Sequence, residues 1–183
     1  MKQSDITPFE VKDMLSWVAT KLQGVEREYG TDLLPEEKEI VNELSLCTPY
    51  EWNIVGHGCS RIVVQPEDIP CVIKLPRGAA HGVSNGLVQN TTELFLWDYF
   101  YSICEINHYF SKPLDFDVSG QWIMYEKGEQ LTEETQKFRQ IKKRICLMFP
   151  WIEPHELTPQ QFIRTPSGVK LCDYGIAQAS VEL

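Results

Sequence analysis

Tyr50-Glu51-Trp52-Asn53-Ile54-Val55-Gly56-His57-Gly58-Cys59-Ser60-Arg61-Ile62-Val63-Val64-Gln65, followed by Pro66-Glu67-Asp68 and then Cys71-Val72-Ile73-Lys74-Leu75, is the stretch that decides the fold. Tyr50 to Val55 is short, aromatic and β-branched, and it stops at a Gly-x-Gly. Arg61 to Gln65 is strand-like again, and Pro66-Glu67-Asp68 reads as a turn. Cys71 to Leu75 is a third strand. Three short β-rich runs separated by turn residues predict an antiparallel meander.

Working outward, a polar, Gly-containing loop is expected from Pro76 to about Gly86. A helix of about twenty residues then runs through Glu93, Leu94, Leu96, Trp97, Phe100, Tyr101 and Ile103. Leu114 to Val118 and Gln121 to Tyr125 predict a hairpin turning at Ser119-Gly120. Lys127-Gly128-Glu129 reads as a short connector. Thr132 to Phe149 predicts a helix capped by Thr132. A Pro-rich stretch follows, and Ile163 and Val169-Lys170-Leu171 flank a turn at Pro166-Ser167-Gly168. The result is a five-stranded antiparallel sheet carrying one helix, then a helical portion, which is an α+β pattern.

The first 46 residues read as two further helices. Thr7-Pro8-Phe9-Glu10 is a start signal: a capping Thr, Pro at the first helical position, and Glu three after the cap. Val11, Met14, Leu15, Val18, Leu22 and Val25 follow helical spacing, and Gly30 closes the unit. Pro35 opens a second helix with Ile40, Val41 and Leu44 on one face. Glu36 and Glu37 sit in its first turn, where the helix dipole favours acids. The expected division is a helical extension over 1–46 and a domain over 47–183.

The 183 residues suit a single domain with a small appendage. Aromatics at 11% argue against a long disordered tail. No run of ~18 apolar residues is long enough to span a membrane, and the N-terminus lacks a signal-peptide core, so the expected location is cytoplasmic. The net charge of −9 argues against general nucleic-acid binding, which needs a basic face. The six cysteines are at least twelve residues apart, so no C-x-x-C zinc or redox signature exists, and a cytosolic setting makes buried free thiols the expectation. His155-Glu156 does not begin H-E-x-x-H, because Pro159 holds the second His position.

Each chemistry-bearing group has a plain structural reading when taken singly. Gly56 and Gly58 suit a tight turn. A dinucleotide fingerprint is excluded there, since it needs a helix after the glycines and a strand follows. Lys74 suits an outward-facing strand position, Glu93 a solvated helix position, and Asp173-Tyr174-Gly175 an ordinary turn after Val169-Lys170-Leu171-Cys172. Together they form an ordered set. Gly56-x-Gly58 and Val63 make G-x-G-x-x-x-x-V, Lys74 lies in a Val-Ile-Lys strand, Glu93 follows nineteen residues later, and Asp-x-Gly closes the series.

This set resembles the eukaryotic-type protein kinase fold over about Tyr50 to Ala177. The resemblance implies a kinase-like N-lobe, a five-stranded sheet plus one helix, with a much reduced helical C-lobe. It implies that Gly56, Gly58 and Val63 cover a nucleotide, with Arg61 where a third glycine would stand. Lys74 would hold ATP phosphates and Glu93 would orient it. Met124 and Glu126, in Met124-Tyr125-Glu126-Lys127-Gly128, look like the hinge that meets the adenine. Asp173 would bind Mg²⁺. Pro154-His155-Glu156 matches the catalytic loop, with Glu156 as the base in place of Asp and Gln161 at the metal-binding Asn. Both side chains are one methylene longer than the family's. The chain ends eight residues after Gly175, so the activation segment and peptide-substrate platform are expected to be absent. Two activities follow from the resemblance: a minimal atypical phosphotransferase, or a pseudokinase-like interaction or regulatory module. The N-terminal helices would cover the domain or meet a protein partner or a second copy.

Overall fold

A computed structural model describes residues 9–28, 30–78, 85–102, 107–150, 152 and 154–173. Thr7, Pro8, Ile103, Cys104, Tyr174 and Gly175 lie outside them. Along the chain run α1 (Phe9–Gln23), α2 (Pro35–Cys47), β1 (Trp52–His57), β2 (Arg61–Pro66), β3 (Cys71–Pro76), α3 (Gly86–Ser102), β4 (Pro113–Phe116), β5 (Ile123–Glu126), β6 (Glu129–Gln130), α4 (Gln136–Met148), β7 (Phe162–Thr165) and β8 (Gly168–Leu171). Single 3₁₀ turns form at Asn107–Tyr109, Pro154–Glu156 and Pro159–Gln161. The fold is α+β. None of its described helices is long and apolar enough to cross a membrane.

The chain divides into two units, one drawn from 1–91 and 113–125, the other from 92–112 and 126–183. In the first, the sheet order is β1-β2-β3-β5-β4, with β1–β2, β2–β3 and β4–β5 antiparallel. The β4–β5 hairpin turns where expected. Gly120 has φ +83°, a conformation that suits glycine, and Asp117 Oδ2 accepts the N–H groups of Ser119 (3.0 Å) and Gln121 (3.2 Å). The stripe of α1 is buried at Val11, Leu15, Val18 and Leu22. It shares one core with Val41 and Leu44 of α2 and with Ile62, Val64, Ile73 and Leu75 of the sheet. Lys12 adds a 2.7 Å ion pair to Asp115, and Trp122 Nε1–H donates to Ser16 Oγ at 3.1 Å. Helix α1 stops at Gln23, short of Val25, yet Val25 is buried outside the helix.

The second unit has its own core of Phe110, Leu131, Phe138, Ile141, Ile145, Phe149, Phe162 and Leu171. Two expectations are corrected here. Thr132 does not cap α4. Thr135 does, with Oγ1 accepting the Phe138 N–H at 3.1 Å, and the helix starts at Gln136. The connector expected at Lys127-Gly128-Glu129 also carries a strand. Glu129 and Gln130 pair with Arg164 and Ile163 to make a three-stranded sheet, β6-β7-β8. A two-residue strand has no alternation for a sequence to display, so only its partner reveals it.

Candidate functional site

The β1–β2 hairpin carries the Gly-x-Gly turn. A register shift between Ile54 and Gly56 leaves Val55 out of the ladder. After it, Gly56 stands opposite Val63, and Val63 stands opposite Lys74 on β3. Three residues separated in the chain thus form one row across three strands. Paired residues in antiparallel strands share a sheet face, so Val63 and Lys74 project to the same side.

Neither glycine is required by the turn. Both avoid the left-handed region, a Cβ on Gly56 would meet nothing closer than 3.8 Å, and one on Gly58 would meet nothing within 4 Å. The tight-turn account of these glycines therefore fails on geometry.

Lys74 is buried, at 6% exposure, and its Nζ lies 5.0 Å from the centroid of the Tyr125 ring. A cation over an aromatic face recovers part of the hydration it loses. Met124 packs in the first unit's core, so its side chain is committed, and Glu126 is half-buried at the end of β5. Arg61 is buried and donates to Asn90 Oδ1 at 3.4 Å, while Asn90 Nδ2–H donates to the carbonyl of Gly120 at 2.8 Å. Glu93 is fully buried on α3, not solvated, and belongs with the second unit.

In that second unit, Asp173 follows β8 and is half-buried. The residue before it, Cys172, donates its N–H to the Gln161 carbonyl at 2.8 Å. The two expected metal ligands are therefore linked through backbone. The Gln161 side chain turns elsewhere: its Oε1 accepts the Thr158 N–H at 2.7 Å. Glu156 lies on the 3₁₀ turn Pro154–Glu156, and Lys142 Nζ donates to the next carbonyl, Leu157, at 2.8 Å. Among the described residues no group of three or more His, Cys, Asp or Glu is placed to hold a metal ion. A lone carboxylate still suits Mg²⁺, which takes one or two carboxylates and fills its shell with water and substrate phosphates.

Sequence reasoning missed a buried ion cluster in the first unit. Arg77, fully buried, lies in the stretch expected to be a polar loop. Its Nε and Nη2 donate to Glu37 Oε1 and Oε2 at 2.7 and 2.5 Å. Glu37, expected merely to face the helix dipole, is also fully buried, and it accepts the Leu34 N–H at 2.9 Å. Arg27 Nε stands 3.5 Å from Glu37 Oε1. Burial first, and then the neighbouring Arg77, lowers the pKa of Arg27. Nothing in the spacing of 27, 37 and 77 signals this cluster.

Two surface hollows lie along α4, and the first is bordered by Pro154, at the start of the 3₁₀ turn that carries Glu156. One, of about 400 Å³, is lined by Glu134, Arg139, Lys142, Lys143, Cys146, Leu147 and Pro154. The other, of about 580 Å³, is lined by Gln136, Arg139, Gln140 and Lys143. Helix α4 holds five basic residues and no acidic one, a local exception in an acidic chain.

No protein-family model matches the chain, and no characterised protein is significantly similar to it.

Proposed function

We propose that this is an ATP-binding, protein-kinase-like protein of the cytoplasm. The row Gly56–Val63–Lys74 carries the proposal. A hairpin with unhindered glycines sits beside a strand that holds a buried cation. Glycines let a ligand approach backbone closely, and an ammonium in a low-dielectric setting attracts phosphate more strongly than one in water.

Each residue then has a role. Lys74 neutralises phosphate charge, and Glu93 is the residue that by the resemblance would orient it. Gly56, Gly58 and Val63 cover the nucleotide, and Met124 and Glu126 border the adenine. Asp173, with Gln161, holds Mg²⁺, which when bound supplies positive charge against the triphosphate. Glu156 accepts the proton of an attacking hydroxyl.

A second reading is a pseudokinase-like module that binds without transfer. One observation favours it: Gln161 Oε1 is already engaged by Thr158. The longer Glu156 side chain adds to this, because a misplacement of about 1 Å can cost on the order of 10²-fold in rate.

Thermal-shift titration with ATP tests both. Wild type is expected to gain stability with ATP and Mg²⁺, since a ligand of the native state stabilises it by mass action. Asp173→Ala should remove the dependence on metal, and Lys74→Ala should weaken binding with or without metal. No shift at any ATP concentration rejects nucleotide binding. A shift without label transfer from γ-labelled ATP selects the pseudokinase-like reading.

A further inference from the structure

Three consecutive residues of the Gly-x-Gly turn are held from the segment between α1 and α2 or by the arginines of the buried cluster. His57, with its proton on Nδ1, donates to the Thr31 carbonyl at 3.0 Å. The Gly58 carbonyl accepts from Arg77 Nη1. The Cys59 carbonyl accepts from Arg27 Nη1 at 2.6 Å. The same guanidinium groups grip the N-terminal segment: Arg77 donates to the carbonyls of Thr31 (3.1 Å) and Asp32 (2.7 Å), and Arg27 to that of Gly30 (2.9 Å). With its two bonds to Glu37, Arg77 uses all five of its donors. Glu37 balances one of the two buried charges and fixes both arginines in place.

The consequence lies in the peptide planes. In a trans peptide the carbonyl and the following N–H point in opposite directions. No described peptide is cis. Drawing the Gly58 and Cys59 carbonyls toward the arginines therefore turns the Cys59 and Ser60 N–H groups the other way. Successive N–H groups exposed by a turn can make an anion-binding concavity, here without any left-handed residue at 58–60.

We infer that Arg27, Glu37 and Arg77 are positioning residues through which the N-terminal helical segment sets the peptide planes of the turn at 58–60, and with them its grip on the phosphates of a nucleotide. The phosphate part rests on the nucleotide-binding reading above, whereas the clamp itself does not. Movement of the α1–α2 segment, by a partner or by ligand, would loosen the turn without touching Lys74.

Amide hydrogen exchange and calorimetry on the full chain test this. Arg27→Ala loses the bonds to the carbonyls of Cys59, Gly78 and Gly30 and the ion pair with Glu37, and Arg27→Lys keeps the charge but not the fork, so it serves if the alanine variant folds poorly. Exchange over 56–61 is expected to rise about 10-fold, a shift of about 1.4 kcal/mol, while β3 and α2 keep wild-type rates. Affinity for ATP and ADP should fall by a similar factor, and affinity for adenosine should not change. A merely structural role would accelerate exchange in all these segments alike or weaken adenosine equally, and either result overturns the inference. Unchanged exchange at 56–61 in both variants also overturns it. If wild type binds no nucleotide, the nucleotide reading falls while the exchange result still decides the clamp. If ATP binds wild type and a loosened variant equally, the link from clamp to phosphate is wrong.

Discussion

At the residue scale the cost of burying charge governs the outcome. Arg77 and Glu37 are both fully buried. Removing one partner leaves the other without compensation, which typically costs 3–5 kcal/mol. Arg77→Ala is therefore expected to lose about that much stability in urea titration, and Glu37→Ala a similar amount. The double variant should lose clearly less than their sum, because residues in one ion network do not behave additively. Cys71 shows the neutral counterpart. It is 1% exposed, and burial pushes its thiol from the ordinary 9.0 up to about 11. The folded state thus favours the protonated thiol. Its stabilising contribution is complete below pH 9.0 and is lost as pH rises through about 11. In that window wild type should lose up to about 1.4 kcal/mol per pH unit more than Cys71→Val, measured by unfolding at stepped pH. Among the described cysteines only Cys71 is buried; Cys59, Cys146 and Cys172 are half-buried and Cys47 is exposed, so the expectation of buried thiols holds for Cys71 alone.

At the element scale a cap is decided by which hydroxyl reaches a free N–H. Thr132 and Thr135 are equally good residues on paper. Thr135 combines extended backbone with the 3.1 Å contact to the Phe138 N–H. Thr135→Ala should cost about 1 kcal/mol, and Thr132→Ala, on an exposed residue outside α4, should stay within about 0.5 kcal/mol of wild type. Chemical denaturation of the two variants side by side checks this. The stripe of α1 was legible because 3.6-residue spacing survives any tertiary arrangement. Val25, expected to continue that spacing, lies past the end of α1 and is buried all the same: a large apolar residue needs cover whatever its backbone does.

At the scale of the whole molecule, the N-terminal helices share a core with the sheet. Leu15, Val18 and Leu22 are fully buried there beside Ile62, Val64, Ile73 and Leu75. Removing 1–46 would bare that side of the core, and exposed apolar patches of this kind drive association. The truncated chain is expected to elute as aggregate in size-exclusion chromatography and to lack a cooperative melt. A monomeric truncation with an unchanged melting temperature would make the helices a separate appendage.

Local chemistry made much of this protein readable from its chain. Short aromatic and β-branched runs between turn residues marked β1 to β3, Ser119-Gly120 marked the hairpin, Pro35 marked the start of α2, and the order Gly56, Val63, Lys74 contained the row that the sheet assembles. Tertiary structure decided the rest. It joined Arg27, Glu37 and Arg77 across fifty residues of chain, because each charge needed a partner once water was excluded. It placed β6 against β7 and turned the Gln161 oxygen onto Thr158. Such outcomes depend on which groups meet in space, and neither residue type nor spacing carries that information.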